Sequence, residues 1–162
     1  MAGKYDVGNL IQLTATCTDA DGAAQDPDAI VLTTTDPDGN DVGYQYGLSS
    51  QGAWDASTNT PSLANGTGTA GHYYTVSVAG SVDFGNGSIT FGTSDYVYYT
   101  GYEWHRLGNV SATAMTRASE GIYTINVYCS KAGVWYYRQE ACGTTSAAAD
   151  EVYFLVKERV VS

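Results

Sequence analysis

The sequence predicts an all-β protein: a β-sandwich interrupted by a small β module of its own. Three observations carry this. Tyrosine occurs 14 times, phenylalanine 3 times and glycine 19 times in 162 residues. Tyrosine, threonine and valine fit pleated, half-buried surfaces, and glycine punctuates turns. In both outer thirds of the chain the apolar residues alternate with polar ones, the period of a strand with one buried face. Between about residues 48 and 110 that rhythm breaks, and afterwards it resumes.

The first strand is expected over 9–18, where Ile11, Leu13, Ala15 and Cys17 alternate with Gln12, Thr14 and Thr16. It ends at Asp19-Ala20-Asp21-Gly22. A second strand over 29–35 runs into the turn Asp36-Pro37-Asp38-Gly39, with proline and glycine at turn-compatible positions. Val42, Tyr44 and Tyr46 alternate in a third strand.

The middle stretch is rich in Gly, Ser, Thr and Asn, yet too aromatic for a linker. β-like pieces are expected at 72–78, 88–92, 95–100 and 102–107. Trp54, Tyr73, Tyr74, Phe84, Phe91, Tyr96, Tyr98, Tyr99, Tyr102 and Trp104 are enough for a separate small core. A structureless loop of that length is improbable inside a compact domain. Residues 48–110 therefore read as an inserted aromatic-rich β module, and 1–47 plus 111–162 as its discontinuous host.

The host resumes with expected strands at 111–116 and 121–129, the latter with Tyr123, Ile125 and Val127 on one face. A turn at Ser130-Lys131-Ala132-Gly133 leads to a strand over 134–140, read as the second arm of a hairpin, with Trp135 in the core. A small-residue loop over 144–150 precedes a last strand over 151–158, where Val152, Phe154 and Val156 share a face. About seven short strands remain once the middle is set aside, at sandwich-like spacing.

The formal charge of -10, from 17 Asp plus Glu against 7 Lys plus Arg, lacks the clustered cations that bind phosphates, so no nucleic acid and no anionic membrane is expected as a partner. No apolar run reaches the length of a membrane span. The N-terminal Met-Ala-Gly-Lys-Tyr-Asp has no apolar signal-peptide region, so cytosolic synthesis is expected. Cys17, Cys129 and Cys142 are an odd set and are expected as free, buried thiols. The glycosylation-like triplets at Asn65, Asn86 and Asn109 read as turn residues.

Catalytic and metal patterns are sparse. His72 and His105 are isolated in sequence, no glycine-rich loop opens a helix, and no nucleophile elbow occurs. No enzyme and no cofactor is expected. Asp19, Asp21, Asp36 and Asp38 read first as carboxylates bonding their own turns, and second as weak Ca²⁺ ligands. Trp54, Tyr99, Tyr102 and Trp104 admit two readings. They form a platform on which sugar rings stack, or Trp54 and Trp104 close the module's core. Tyr102, beside Gly101 at a hairpin tip, is the one expected to be exposed.

The outer segments VGNLIQLTATCTDADG, DPDAIVLTTTDPDGN, EGIYTINVYCSKAGVWYYRQEACG and EVYFLVKE resemble the small immunoglobulin-like proteins of tailed-phage structural gene clusters. The segment Glu120-Gly121-Ile122-Tyr123 resembles the tyrosine corner of such sandwiches, which implies a buried phenol bonding backbone. The middle stretch resembles a module of phage tail-fibre and baseplate proteins, through W-x-x-S-T-N-x-P, G-x-x-G-x-Y-Y and D-x-V-x-Y-x-G-x-x-W. Its last piece is similar to small chitin- and cellulose-binding β modules. The resemblance implies an immunoglobulin-like β-sandwich carrying a guest module and acting as a virion protein on the capsid surface, of capsid decoration or head-fibre type. Its partners are then the major capsid protein or other virion proteins, host surface glycans, and further copies of itself in a homo-oligomer. The alternatives are a neck or tail accessory adhesin binding host polysaccharide, and a non-viral carbohydrate-binding protein.

Overall fold

The computed structural model describes residues 4–147 and 151–160. Among these there is no helix. The strands are β1 (Lys4–Asp6), β2 (Leu10–Thr18), β3 (Ala29–Thr35), β4 (Asp41–Tyr46), β5 (Ser49–Asp55), β6 (His72–Val78), β7 (Gly80–Asp83), β8 (Ser88–Phe91), β9 (Tyr96–Tyr99), β10 (Trp104–Leu107), β11 (Thr116–Ser119), β12 (Ile122–Tyr128), β13 (Gly133–Cys142), β14 (Ser146–Ala147) and β15 (Glu151–Lys157).

Two sheets build the sandwich. One has the order β1-β15-β13-β3-β4 and the other β11-β12-β2-β14. Alternation decides which side chains meet between them. Ile11, Leu13, Ala15 and Cys17 of β2 and Tyr123, Ile125 and Val127 of β12 project from one sheet. Ile30 and Leu32 of β3, Trp135 of β13, and Phe154 and Val156 of β15 project from the other. The register sets Leu13 opposite Ile125 and Ile11 opposite Val127, so the apolar rows coincide.

Between residues 48 and 110 a separate four-stranded sheet forms, in the order β10-β9-β6-β5, with the hairpin β7-β8 beside it. Its core gathers Trp54, Phe84, Phe91, Val97, Tyr99 and Trp104. Phe91 meets Trp54 edge-on, with ring centroids 5.0 Å apart. Gly68 lies against this core. A Cβ there would stand 2.8 Å from Tyr99 Cγ, so only glycine lets the loop close over the ring.

A third apolar cluster joins the two bodies. Ala29 and Val31 of β3 and Cys142 of β13 meet Tyr98 of β9 and Leu107 of β10, flanked by Tyr73, Tyr96 and Val110. Strand β3 is thus buried on both faces, Ile30 and Leu32 inward and Ala29 and Val31 toward the module. Gly43 of β4 permits the approach, since a Cβ there would stand 2.6 Å from Leu107 Cδ1. The module leaves the sandwich after β4 and returns beside it: Gly43 N donates to Asn109 O and Ser111 N to Gly43 O.

Several expectations are corrected. The strand placed at 111–116 is instead β11 at Thr116–Ser119, because Ser111 and Met115 bond the edge of β4. Residues 121–129 and 134–140 do not form a hairpin. β12 pairs with β11 and β2, β13 pairs with β15 and β3, and the turn between them crosses from one sheet to the other. Strands β1, β5, β7 and β14 were not expected. The loop expected at 144–150 includes β14, and its residues 148–150 lie outside the described residues. Cys17, Cys129 and Cys142 are free and buried. Tyr123 is buried, but its hydroxyl donates to Asp26 Oδ1 at 2.7 Å rather than to backbone. Asp26 also accepts from Arg117 and Gly121 N, and these bonds, Arg117 foremost, hold its carboxyl well below the usual range.

Candidate functional site at the seam between sandwich and module

The sugar-stacking set separates into two kinds of residue. Trp54, Tyr99 and Trp104 are 0%, 3% and 3% exposed. Trp54 Nε1 donates to Asn59 Oδ1 and Pro61 O, each at 3.1 Å, so W-x-x-S-T-N-x-P is a loop latch. Trp104 Nε1 donates to Ala64 O and Thr67 O, each at 3.1 Å. The four-ring platform is therefore not formed, because a module this small needs its large rings inside. Tyr102 alone is exposed, at 70%.

The Ca²⁺ reading of the turn aspartates is also corrected. Asp19 Oδ1 accepts from Asp21 N and Ala23 N within its own turn, each at 2.9 Å. Asp36 and Asp38 converge on Lys131 Nζ, each at 2.6 Å, which puts a cation of the chain where a metal would sit. Among the described residues no three His, Cys, Asp or Glu side chains gather in a metal-holding group.

What the chain does assemble is a polar bridge beside the apolar seam. On β10, Trp104 faces the module core, so the alternate residues His105 and Leu107 face the sandwich. On β13, Trp135 and Gln139 are buried and Glu140 points the other way, toward the module. His105 Nδ1 lies 2.7 Å from Glu140 Oε1, and His105 Nε2 lies 3.0 Å from Glu103 Oε2. Tyr98 OH donates to Glu140 Oε1 at 2.7 Å. Arg138 reaches Glu140 Oε2 only at 3.6 Å. Glu103 is in turn held by Asn86 Nδ2.

The hairpin tip that carries Glu103 is fixed on several sides. Thr100 Oγ1 accepts from Tyr102 N and Glu103 N at 3.3 and 3.1 Å. Gly143 N of the sandwich donates to Thr100 O at 2.7 Å, and Gly66 N to Tyr102 O at 2.9 Å. The Tyr102 ring is thus held out on an anchored backbone.

Electrostatics follow from this geometry. The hydrogen bond to Glu140, with the charges of Glu140 and Glu103, raises the His105 pKa against the opposing effect of burial. Burial pushes the Glu140 pKa up, but the His105 and Tyr98 hydrogen bonds outweigh it and the net shift is downward. Burial and the Glu140 charge push the Tyr98 phenol well above its ordinary 10, and burial lifts the Cys142 thiol to about 12. The bridge thus favours imidazolium between carboxylates, a poor general base, with neighbouring hydroxyl and thiol groups held protonated.

Sequence reading missed this group because it joins residues 103, 105 and 140, each unremarkable alone. Comparison of the chain with protein-family models, with curated proteins and with solved structures finds no match.

Proposed function

We propose that this chain is a non-enzymatic structural protein of a phage particle, a capsid decoration or head-fibre component, whose sandwich docks on the particle while the module faces outward. The observation that carries the reading is the way the guest is joined. An apolar cluster and a charged bridge fasten the module to one face of the sandwich, and its exposed ring stands on a backbone anchored from both sides. Such a body presents a fixed surface, and its clamped histidine and protonated phenol and thiol do not equip it for acid–base or nucleophilic turnover.

Two further features support the reading. The sheets β11-β12-β2 and β15-β13-β3, with the chain crossing between them from β2 to β3 and from β12 to β13, support an immunoglobulin-like reading. On the sheet face that carries the module, beyond the seam, β13 and β15 expose Val134, Tyr136 and Tyr153, with Tyr136 directly opposite Tyr153. This aromatic strip suits a protein partner.

Capsids lacking the chain provide the test. Purified protein should add to them stoichiometrically, and Tyr136→Ala with Tyr153→Ala should weaken loading without lowering the melting temperature. Protein that ignores capsids and binds cell-wall polysaccharide overturns this reading in favour of a tail or neck adhesin, the alternative that exposed Tyr102 favours.

A further inference from the structure

Two hollows open along the seam, one on each side of the Glu103–His105–Glu140 bridge. The first, of about 470 Å³, is lined by Thr33, Tyr98, Arg106 and Arg138 together with the bridge. The second, of about 320 Å³, is lined by Thr100, Tyr102, Gly143 and Thr145 together with the same bridge. Both are open, the first is lined mainly by polar surface, and the bridge is their common wall.

Unused hydrogen-bonding capacity lines the first hollow, and an unpartnered hydroxyl is buried in the wall of the second. Arg106 commits Nε to Asp95 at 2.7 Å, and its other N–H groups have no partner among the described residues. Arg138 has only the long 3.6 Å approach to Glu140, which leaves Glu140 Oε2 available as an acceptor. In the second hollow Thr145 is 8% exposed and its Oγ1 has no hydrogen-bond partner among the described residues. Tyr102 stands at the rim of that hollow, its ring largely bare.

We propose that this seam groove binds a neutral, polyhydroxylated ligand, a glycan chain, lying across the bridge with a sugar ring over Tyr102. Adjacent hydroxyls of a sugar offer both donors and acceptors, and the pairing of an arginine fork with a carboxylate oxygen answers both. The aromatic ring supplies contact area at low entropic cost. An anionic chain is disfavoured by Glu103 and Glu140 and by the net charge of -10. The binding surface therefore lies between guest and host, not on the rings inside the guest. This inference rests on the reading of the module as the outward, surface-contacting part.

Titration of the intact protein with cellohexaose, maltohexaose and chitohexaose, followed by calorimetry and by NMR shifts, tests it. At least one should bind at millimolar or lower concentration. Tyr102→Ala and Arg138→Ala should each weaken that binding roughly tenfold with an unchanged melting temperature. Absence of binding to all three, or binding that survives both substitutions, overturns the groove. Capsid loading of the same two variants separates the two proposals. Lost sugar binding with normal loading supports both, whereas normal sugar binding by protein that cannot load capsids counts against the particle role alone.

Discussion

His105 of the module and Glu140 of the sandwich approach to 2.7 Å, so one hydrogen bond ties two bodies with separate cores. The other ring nitrogen of His105 faces Glu103. Only the protonated ring donates to both carboxylates; the neutral ring leaves one of them against a lone pair.

The bridge should therefore be pH-sensitive. The folded-state pKa of His105 is raised, so its stabilising effect is complete below its ordinary 6.5 and is lost as pH rises through the raised value. The Glu140 pKa is lowered, so its effect is present above its ordinary 4.5 and fades as pH falls through the lowered value. Asp26 and Asp36, also lowered, contribute to the acid limb, and the raised thiols and phenols act only near and above their ordinary 9 and 10, so the fall that begins near neutral pH reports His105. The unfolding free energy should fall from about pH 6.5 upward, with a slope no steeper than about 1.4 kcal/mol per pH unit for one linked proton below the thiol range. His105→Gln should flatten that fall, and an unchanged fall in the variant would show that another group causes it.

Tyr102 and Trp104, two residues apart, should behave oppositely. Trp104→Ala empties the module core and should cost about 3–5 kcal/mol in urea unfolding. Tyr102→Ala removes an exposed ring and should stay within about 0.5 kcal/mol of the parent. Similar costs for both would contradict the burial assigned here.

The thiols should be silent in the native protein. Burial lifts Cys17 and Cys129 to about 11 and Cys142 to about 12. A chromogenic disulfide reagent at pH 8 should label none of them until denaturant is added, and then all three. Rapid labelling of Cys142 in native protein would mean that the seam opens.

Replacing residues 48–110 with a short glycine linker should leave a sandwich that melts cooperatively, since its core is its own. The deletion uncovers Ala29, Val31 and Cys142, so self-association is expected. Val31→Thr with Cys142→Ser in the shortened chain should reduce it. Lack of a cooperative transition in both versions would show that the sandwich depends on its guest.

The all-β class and much of the strand placement were legible because period-two patterning survives wherever one face is buried. β3 and β6 occur at the expected residues. The unbroken run Ala29-Ile30-Val31-Leu32 carried more than was read from it, since four apolar residues without alternation mark a strand covered on both sides. β5 was illegible because Ser49-Ser50-Gln51-Gly52 has no strand pattern, and its pairing to β6 is parallel and set by tertiary contact. The aromatic rings were visible, but not their direction. Tyr98 and Tyr99 are neighbours, and pleating sends one to the seam and the other to the module core. The bridge was hidden by the 35 residues separating His105 from Glu140.

Gly43 of β4, the strand from which residues 48–110 depart, is bonded by Asn109 and Ser111 at their returning end, and this has an evolutionary corollary. Departure from and return to one edge strand permit wholesale exchange of one head for another by recombination, leaving the rest of the gene undisturbed. The exchange is not free of constraint. A newcomer must supply its own counterpart to Leu107 for Gly43 and an apolar cover for Val31, so lineages that trade heads should vary these few contact positions together.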